Sequence, residues 1–193
     1  ENKIRSRIIG NEKRTVIMSR CMKLIPRRIM EKNLHYCDPK LKMGEDVSIM
    51  LPVLLDIKRL NLLPGAYDYH YMFRHQSMVH KFDQDMYENM QCLRTVITQV
   101  LRDKEIPDGD AMCGLEYFFL FLLVMKNELR NTDNTAIERI RTLCAKNNTP
   151  EMIRRGPKEL SDTANRLIAF VMKRPTKMRI RIIRRIFILK NRK

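Results

Sequence analysis

The 193-residue chain has no tryptophan and no Cys-x-x-Cys pair, and its longest apolar run, Tyr117–Met125, is short. That run falls far below the ~20 residues a membrane-spanning helix needs, so it is predicted to be a buried helix. The opening stretch, ENKIRSRIIGNEKR, is basic and carries no apolar segment of the kind a secretory signal uses. The five cysteines, Cys21, Cys37, Cys92, Cys113 and Cys144, are irregularly spaced. This argues against a disulfide framework and fits free core thiols in a reducing compartment. His70, His75 and His80 recur every five residues, whereas ligands on one helix face need a spacing of three or four, so no metal set is read from them. No internal repeat, low-complexity segment or familiar RNA-binding signature is present.

What the chain does carry is positive charge, unevenly placed. The formal net charge is +16. Residues 1–33 hold ten Lys/Arg against three acids, residues 34–172 are close to neutral, and residues 173–193 hold ten Lys/Arg and no acid. The middle is thus an ordinary globular surface, and 44% hydrophobic residues are enough for a core. The basic end suits an anionic surface, either lipid or a nucleic acid backbone.

Apolar periodicity predicts a mainly α protein with a small β element. Residues 3–9 and 19–32 read as amphipathic helices, with Pro26 as a start or break. VSIMLPVLLDIKRL reads as an apolar helix, kinked or restarted at Pro52. LNLLPGAYDYHYMF, rich in Tyr and Leu, reads as one or two short strands. Residues after His80 are helical, including FDQDMYENMQCLRTVITQVLRDKEI, the buried AMCGLEYFFLFLLVMKNELRN, and NTAIERIRTLCAKN. SDTANRLIAFVMKR follows with Ser161 as its cap. In the tail, TKMRIRIIRRIFILKNRK, helical spacing puts Ile182, Ile183, Ile186 and Leu189 on one face and Arg181, Arg184 and Arg185 on the other. That is the pattern of a helix lying in a membrane interface. The organisation expected is residues 1–83, an incomplete domain; 84–172, a helical region; and 173–193, a basic amphipathic tail.

The segment KMGEDVSIMLPV places a turn glycine, Gly44, and two adjacent acids, Glu45 and Asp46, in front of an apolar run. A helix start accounts for it, because acids favour the positive end of the helix dipole. The sharper alternative is a catalytic carboxylate held at a helix N-terminus, which the triplet alone does not establish.

Three segments, in order, resemble the C-terminal half of bacterial family 2 glycosyltransferases, which have an A-type nucleotide-sugar-binding α/β fold. CMKLIPRRIMEKNLHYCDPKLKMGED resembles that family's nKLyrrelleknl…GED. VSIMLPVLLDIKRLNLLPGAYDYHY is similar to the helix and strand that follow it. YHYMFRHQSMVHKFD resembles YhYRiRenSmth, with Met72 where many members carry Arg. The later LVMKNELRN is similar to the family's Asn-Glu helix. The resemblance spans roughly residues 15–130. The Asp-x-Asp metal motif of the donor-binding half has no counterpart. Asp108-Gly109-Asp110 has the letters, but it follows the acidic motif instead of preceding it.

The resemblance implies the acceptor-side fragment of an α/β glycosyltransferase domain followed by a C-terminal helical bundle, inactive without its donor half. It makes Asp46 the general base, with Glu45 as second candidate or acceptor-binding group. It makes the loop bearing Arg74, His75, Ser77 and His80 the lid over the donor diphosphate, Arg74 and His75 being its phosphate contacts. Lys23 falls on the acceptor side. A divalent cation, Mg or Mn, is implied only in the complete enzyme, through the absent Asp-x-Asp. The partners implied are a nucleotide-sugar donor and a glycan or lipid-linked acceptor of cell-surface polysaccharide synthesis. The location implied is the cytoplasm, at the inner face of the plasma membrane. The competing class is a basic helical module that binds nucleic acid or protein without catalysis. The neutral middle of the chain argues against nucleic acid, and the ordered match from Lys23 to Ser77 is unexplained by a protein scaffold.

Overall fold

Periodic apolar residues become helices along most of the chain. The computed structural model describes residues 7–65, 69–70, 72 and 82–190. In chain order the helices are α1 (Arg27–Asn33), α2 (Glu45–Asp56), α3 (Met86–Asp103), α4 (Gly109–Arg130), α5 (Ala136–Lys146), α6 (Thr149–Arg155), α7 (Thr163–Lys173) and α8 (Lys177–Lys190), with a 3-10 turn at Leu34–Tyr36. The class is mainly α, and no strand occurs among the described residues.

The apolar run Tyr117–Met125 lies at the centre of α4, whose Phe121, Leu122, Val124, Met125 and Leu129 are fully buried. Helices α3, α5, α6, α7 and α8 all pack on it. Helix α3 contributes Met90, Leu93, Ile97 and Val100 at spacings of three and four, then meets α2 and so links it to the rest. Each large apolar side chain buried this way contributes about 1.5–3 kcal/mol. Core residues from both sides of residue 83 join one cluster: Ile8, Ile9 and Met50 are buried with Leu93, Phe121 and Val171.

Several expectations are corrected. Residues 7–9 form bends, not helix, because Ile8 and Ile9 insert into the core instead of following a helical face. Helix α1 begins only after Pro26, whose extended ψ of 129° cannot belong to a helix. Pro52 neither kinks α2 into two nor restarts it: one helix runs from Glu45 to Asp56, and Pro52 is buried within it. The strands expected over residues 60–73 are missing among the described residues, where Leu62 and Leu63 are 81% and 72% exposed. A lone strand has no partner for its backbone hydrogen bonds and no face to bury. Asp162, not Ser161, caps α7 by accepting the Asn165 N–H at 2.8 Å, because the Ser161 hydroxyl donates to Glu12. Of the five thiols only Cys113 and Cys144 are in the core; Cys21, Cys37 and Cys92 are exposed. In α8, Ile183 is buried with Ile180, while Ile182, Ile186 and Leu189 face outward, so the expected apolar face is divided. Arg184 leaves the basic face as well and donates to the Asn131 and Asp133 carbonyls.

Two carboxylates tie the first residues to the helices. The buried Glu116 of α4 accepts the Gly10 N–H at 2.7 Å and pairs with Arg14. Glu12 accepts from Ser161 N and Oγ, each at 2.6 Å, from Asp162 N at 3.1 Å and from Asn165 Nδ2 at 2.7 Å. Desolvation opposes the charge on Glu12, but these hydrogen bonds outweigh it and hold the carboxyl at about 2.

Candidate functional site: the acidic turn before α2

Gly44 sits immediately before α2 with φ 88° and ψ 8°, the left-handed region that glycine enters without a Cβ penalty. Space forbids a side chain as well, since a Cβ here would lie 2.5 Å from Leu93 Cδ2 of α3. The turn is also clamped from α3. Asn89, nearly buried, accepts from Lys42 N at 2.8 Å and Met43 N at 3.4 Å and donates from Nδ2 to Met43 O at 2.6 Å. Lys42 Nζ adds an exposed ion pair to Asp85 at 3.0 Å. Glu45 and Asp46 thus begin a buried helix whose origin is fixed by another helix.

The far end of α2 is held with equal care. Asp56 accepts from Lys104 Nζ at 2.7 Å and from Asn33 Nδ2 at 3.0 Å. Desolvation works against its charge, and Lys104 and Asn33 nonetheless keep its carboxyl below the ordinary value. Helix α2 is therefore gripped at both ends from α3 or the residue after it, so the acidic turn inherits the rigidity of the core.

The structure pairs Arg20 with Asp46 and Glu45 and sets Lys23 within electrostatic reach of Asp46. Arg20 Nε donates to Asp46 Oδ1, and its Nη2 lies 3.6 Å from Glu45 Oε1. Lys23 Nζ donates to the Ser19 carbonyl at 2.7 Å. Desolvation lowers the Lys23 pKa while the nearby Asp46 charge opposes that shift. The hydrogen bond and charge of Asp46 raise Arg20. Asp46 keeps a third of its surface exposed and Arg20 half, so this is a solvated ion pair, worth about 0–1 kcal/mol and displaced at little cost. Arg27, in contrast, extends along α1 to Glu31 at 2.7 Å and takes no part in the cluster.

The third segment of the resemblance reaches this site through Tyr69, whose hydroxyl donates to Cys21 Sγ at 3.3 Å. That bond, helped by Ser19, holds the Cys21 thiol below its ordinary pKa, against desolvation. Arg74, His75, Ser77 and His80 lie outside the described residues. The chain just after them is firmly anchored. Asn127 of α4 accepts the Asp83 N–H at 2.9 Å and donates to the Asp83 carbonyl at 2.7 Å. Its neighbour Glu128, buried, binds Arg139 through both oxygens at 3.1 and 3.0 Å, and Arg139 donates to the Gln84 carbonyl at 3.4 Å. The Asn-Glu pair is therefore the mooring of the segment that follows the expected lid.

Sequence reasoning missed Arg20, Asn89 and the mooring role of Asn127. Arg20 lies 26 positions from Asp46 and Asn89 46 from Met43, so no local pattern relates them. The amide side chains on the core-facing sides of α3 and α4 were the available signal, because a buried amide requires a partner. Among the described residues no group of His, Cys, Asp and Glu is arranged to hold a metal ion. Asp108 starts α4 in a left-handed conformation, and Asp110 falls in its first turn. No family model matches this chain, and neither does any curated protein or solved structure.

Proposed function

We propose that this chain is the acceptor-side part of an inverting glycosyltransferase, with Asp46 as its general base. Asp46 would take the proton of an acceptor hydroxyl as that oxygen bonds to the anomeric carbon. The bond from that carbon to the donor phosphate breaks, and its electron pair leaves with the nucleoside diphosphate. Arg20 and Lys23 would neutralise the acidic turn at rest and orient an anionic or hydroxyl-rich acceptor. Glu45, beside Asp46, would bind that acceptor. Arg74 and His75 would close over the diphosphate. A divalent cation would be held by the donor half, and the described residues of this chain do not fit one.

One observation carries the reading. Two partly exposed carboxylates are paired with Arg20, with Lys23 within electrostatic reach of Asp46, on a turn that both φ and packing reserve for glycine. A simple helix start needs no clamp from a second helix. A second feature supports a missing half: Ile17, Met22, Leu24, Leu62 and Leu63, all in the first third, are 63–97% exposed. Apolar side chains so exposed and so concentrated suit burial under another domain. Nucleotide-sugar donors place the reaction in the cytoplasm, with a glycan or lipid-linked acceptor reached at the inner membrane face.

The test is kinetic. With a donor half restored, Asp46→Asn should lower kcat at least ~10²-fold without changing donor affinity. Glu45→Gln should act mainly on the acceptor KM. Full activity in Asp46→Asn would reduce the acidic turn to a helix start. The chain by itself should bind uridine diphosphate with manganese no more tightly than millimolar in a calorimetric titration.

A further inference from the structure

Helix α8 is apolar on two opposite sides. Ile180 and Ile183 are buried, with Phe187 partly so, against the bundle. Outward, Met178, Ile182, Ile186 and Leu189 are 70%, 52%, 43% and 64% exposed. They recur at intervals of four, four and three, which on an α-helix makes one stripe about 16 Å long. Arg181 and Arg185 are exposed along one border of the stripe, and Arg179 stands on the other. The Arg179 guanidinium lies 4.2 Å from the ring centroid of Phe170 on α7, which is itself half exposed and so extends the apolar surface sideways. Arg166 and Lys173 are exposed on the same side of α7 as Phe170, and Arg174 is exposed just after the helix. Two other cations of this region have partners within the protein: Lys177 pairs with Glu138 at 2.8 Å, and Arg184 holds backbone carbonyls.

We propose that the outward face of α8, with Phe170, docks in the plane of an anionic lipid bilayer. The occupant follows from charge and shape together. Residues 173–193 contain no acid, so the border of the stripe is of one sign and matches an anionic surface. A nucleic acid would satisfy the arginines but leave four aliphatic side chains and a phenyl ring in water. A bilayer takes both: the stripe enters the acyl boundary, and the arginines at its edges reach the headgroup phosphates. The inward anchoring of Ile180 and Ile183 holds α8 as a formed helix before contact, so docking spends little on folding. This face does not depend on the glycosyltransferase reading.

Truncation is a poor test, because it strips Ile180 and Ile183 from the core. The chain lacks tryptophan, so Ile182→Trp places a single tryptophan on the stripe, excited selectively over the tyrosines. Its emission should shift to the blue on phosphatidylcholine vesicles containing phosphatidylglycerol and should not shift on phosphatidylcholine alone. Co-sedimentation of the unsubstituted chain should show the same lipid dependence and weaken in high salt. Ile182→Ser/Ile186→Ser/Leu189→Ser should lower partitioning at least ~10-fold, as should Arg181→Glu/Arg185→Glu. Both keep the buried face of α8, and circular dichroism checks that they fold. If either set unfolds, Arg181→Ala/Arg185→Ala provides the decisive comparison. Unshifted emission on anionic vesicles would overturn the proposal. So would equal binding to neutral vesicles, undiminished sedimentation of folded variants, a blue shift without vesicles that vanishes on dilution (a second copy on the stripe), or tighter binding to duplex oligonucleotide than to vesicles.

Discussion

Asn89 holds Met43 by both of its backbone polar groups: Nδ2 donates to the carbonyl at 2.6 Å, and Oδ1 accepts the N–H at 3.4 Å. One side chain on α3 thereby sets where α2 begins and where Glu45 and Asp46 project. Asn89→Ala leaves the Lys42 and Met43 groups without partners beside the core, and such a loss costs about 1–3 kcal/mol. Urea unfolding should report that loss. Under the proposed function, kcat of the chain joined to a donor half should fall while donor affinity stays, because the proposed base Asp46 is misplaced and not removed. Asn89→Asp, which keeps the acceptor but loses the donor, should fall between the two.

Gly44→Ala should be more harmful than its single added carbon suggests. The left-handed φ costs a non-glycine residue roughly 1–2 kcal/mol. The new Cβ must also displace Leu93 Cδ2, 2.5 Å away. Coupling Gly44→Ala with Leu93→Ala should relieve the second cost but not the first. A double-mutant cycle in unfolding free energy should therefore show a favourable coupling between the two.

Glu12 gives the protein an acid-sensitive anchor. Its folded pKa, about 2, lies below the ordinary 4.5. A depressed carboxylate contributes stability that is fully present above the unfolded value and is lost as pH falls through the folded one. The contribution should therefore disappear between pH 4.5 and about 2. Thermal unfolding of Glu12→Gln should have a flatter pH dependence across that window. Equal slopes for the two proteins would show that the contacts to Ser161 and Asn165 do not depend on the charge.

Asn127 moors the residues just after 73–81. Asn127→Ala should remove protection from amide exchange at Asp83, whose N–H it accepts, while leaving the centre of α4 protected. Arg139→Ala should add to the effect by freeing the Gln84 carbonyl and leaving the buried Glu128 without its cation. Loss of protection throughout α4 would instead place Asn127 in the global core.

Much of this molecule was written in local pattern. Spacings of three and four fixed α3, the apolar run fixed α4 as the buried centre, and Gly44 with two acids fixed the start of α2, because helix formation answers to residues within one or two turns of each other. Local pattern could not assign direction. It placed Ile183 with Ile182, yet one packs inward and the other outward, since only the packing against α4, α5 and α7 decides which of two apolar sides of α8 is covered. Nor could it expose the links Arg20–Asp46, Asn89–Met43, Glu12–Ser161 and Asn127–Asp83. Each joins residues 26 to 149 positions apart. The amino-acid sequence determined the helices α2 to α5, α7 and α8 and the placement of charge, but neither α6 nor the irregular course of the chain before Pro26. Which carboxylate is paired, which amide is spent on a turn and which apolar face stays open were decided only when the helices packed, because buried polar groups take partners from whatever element lies against them.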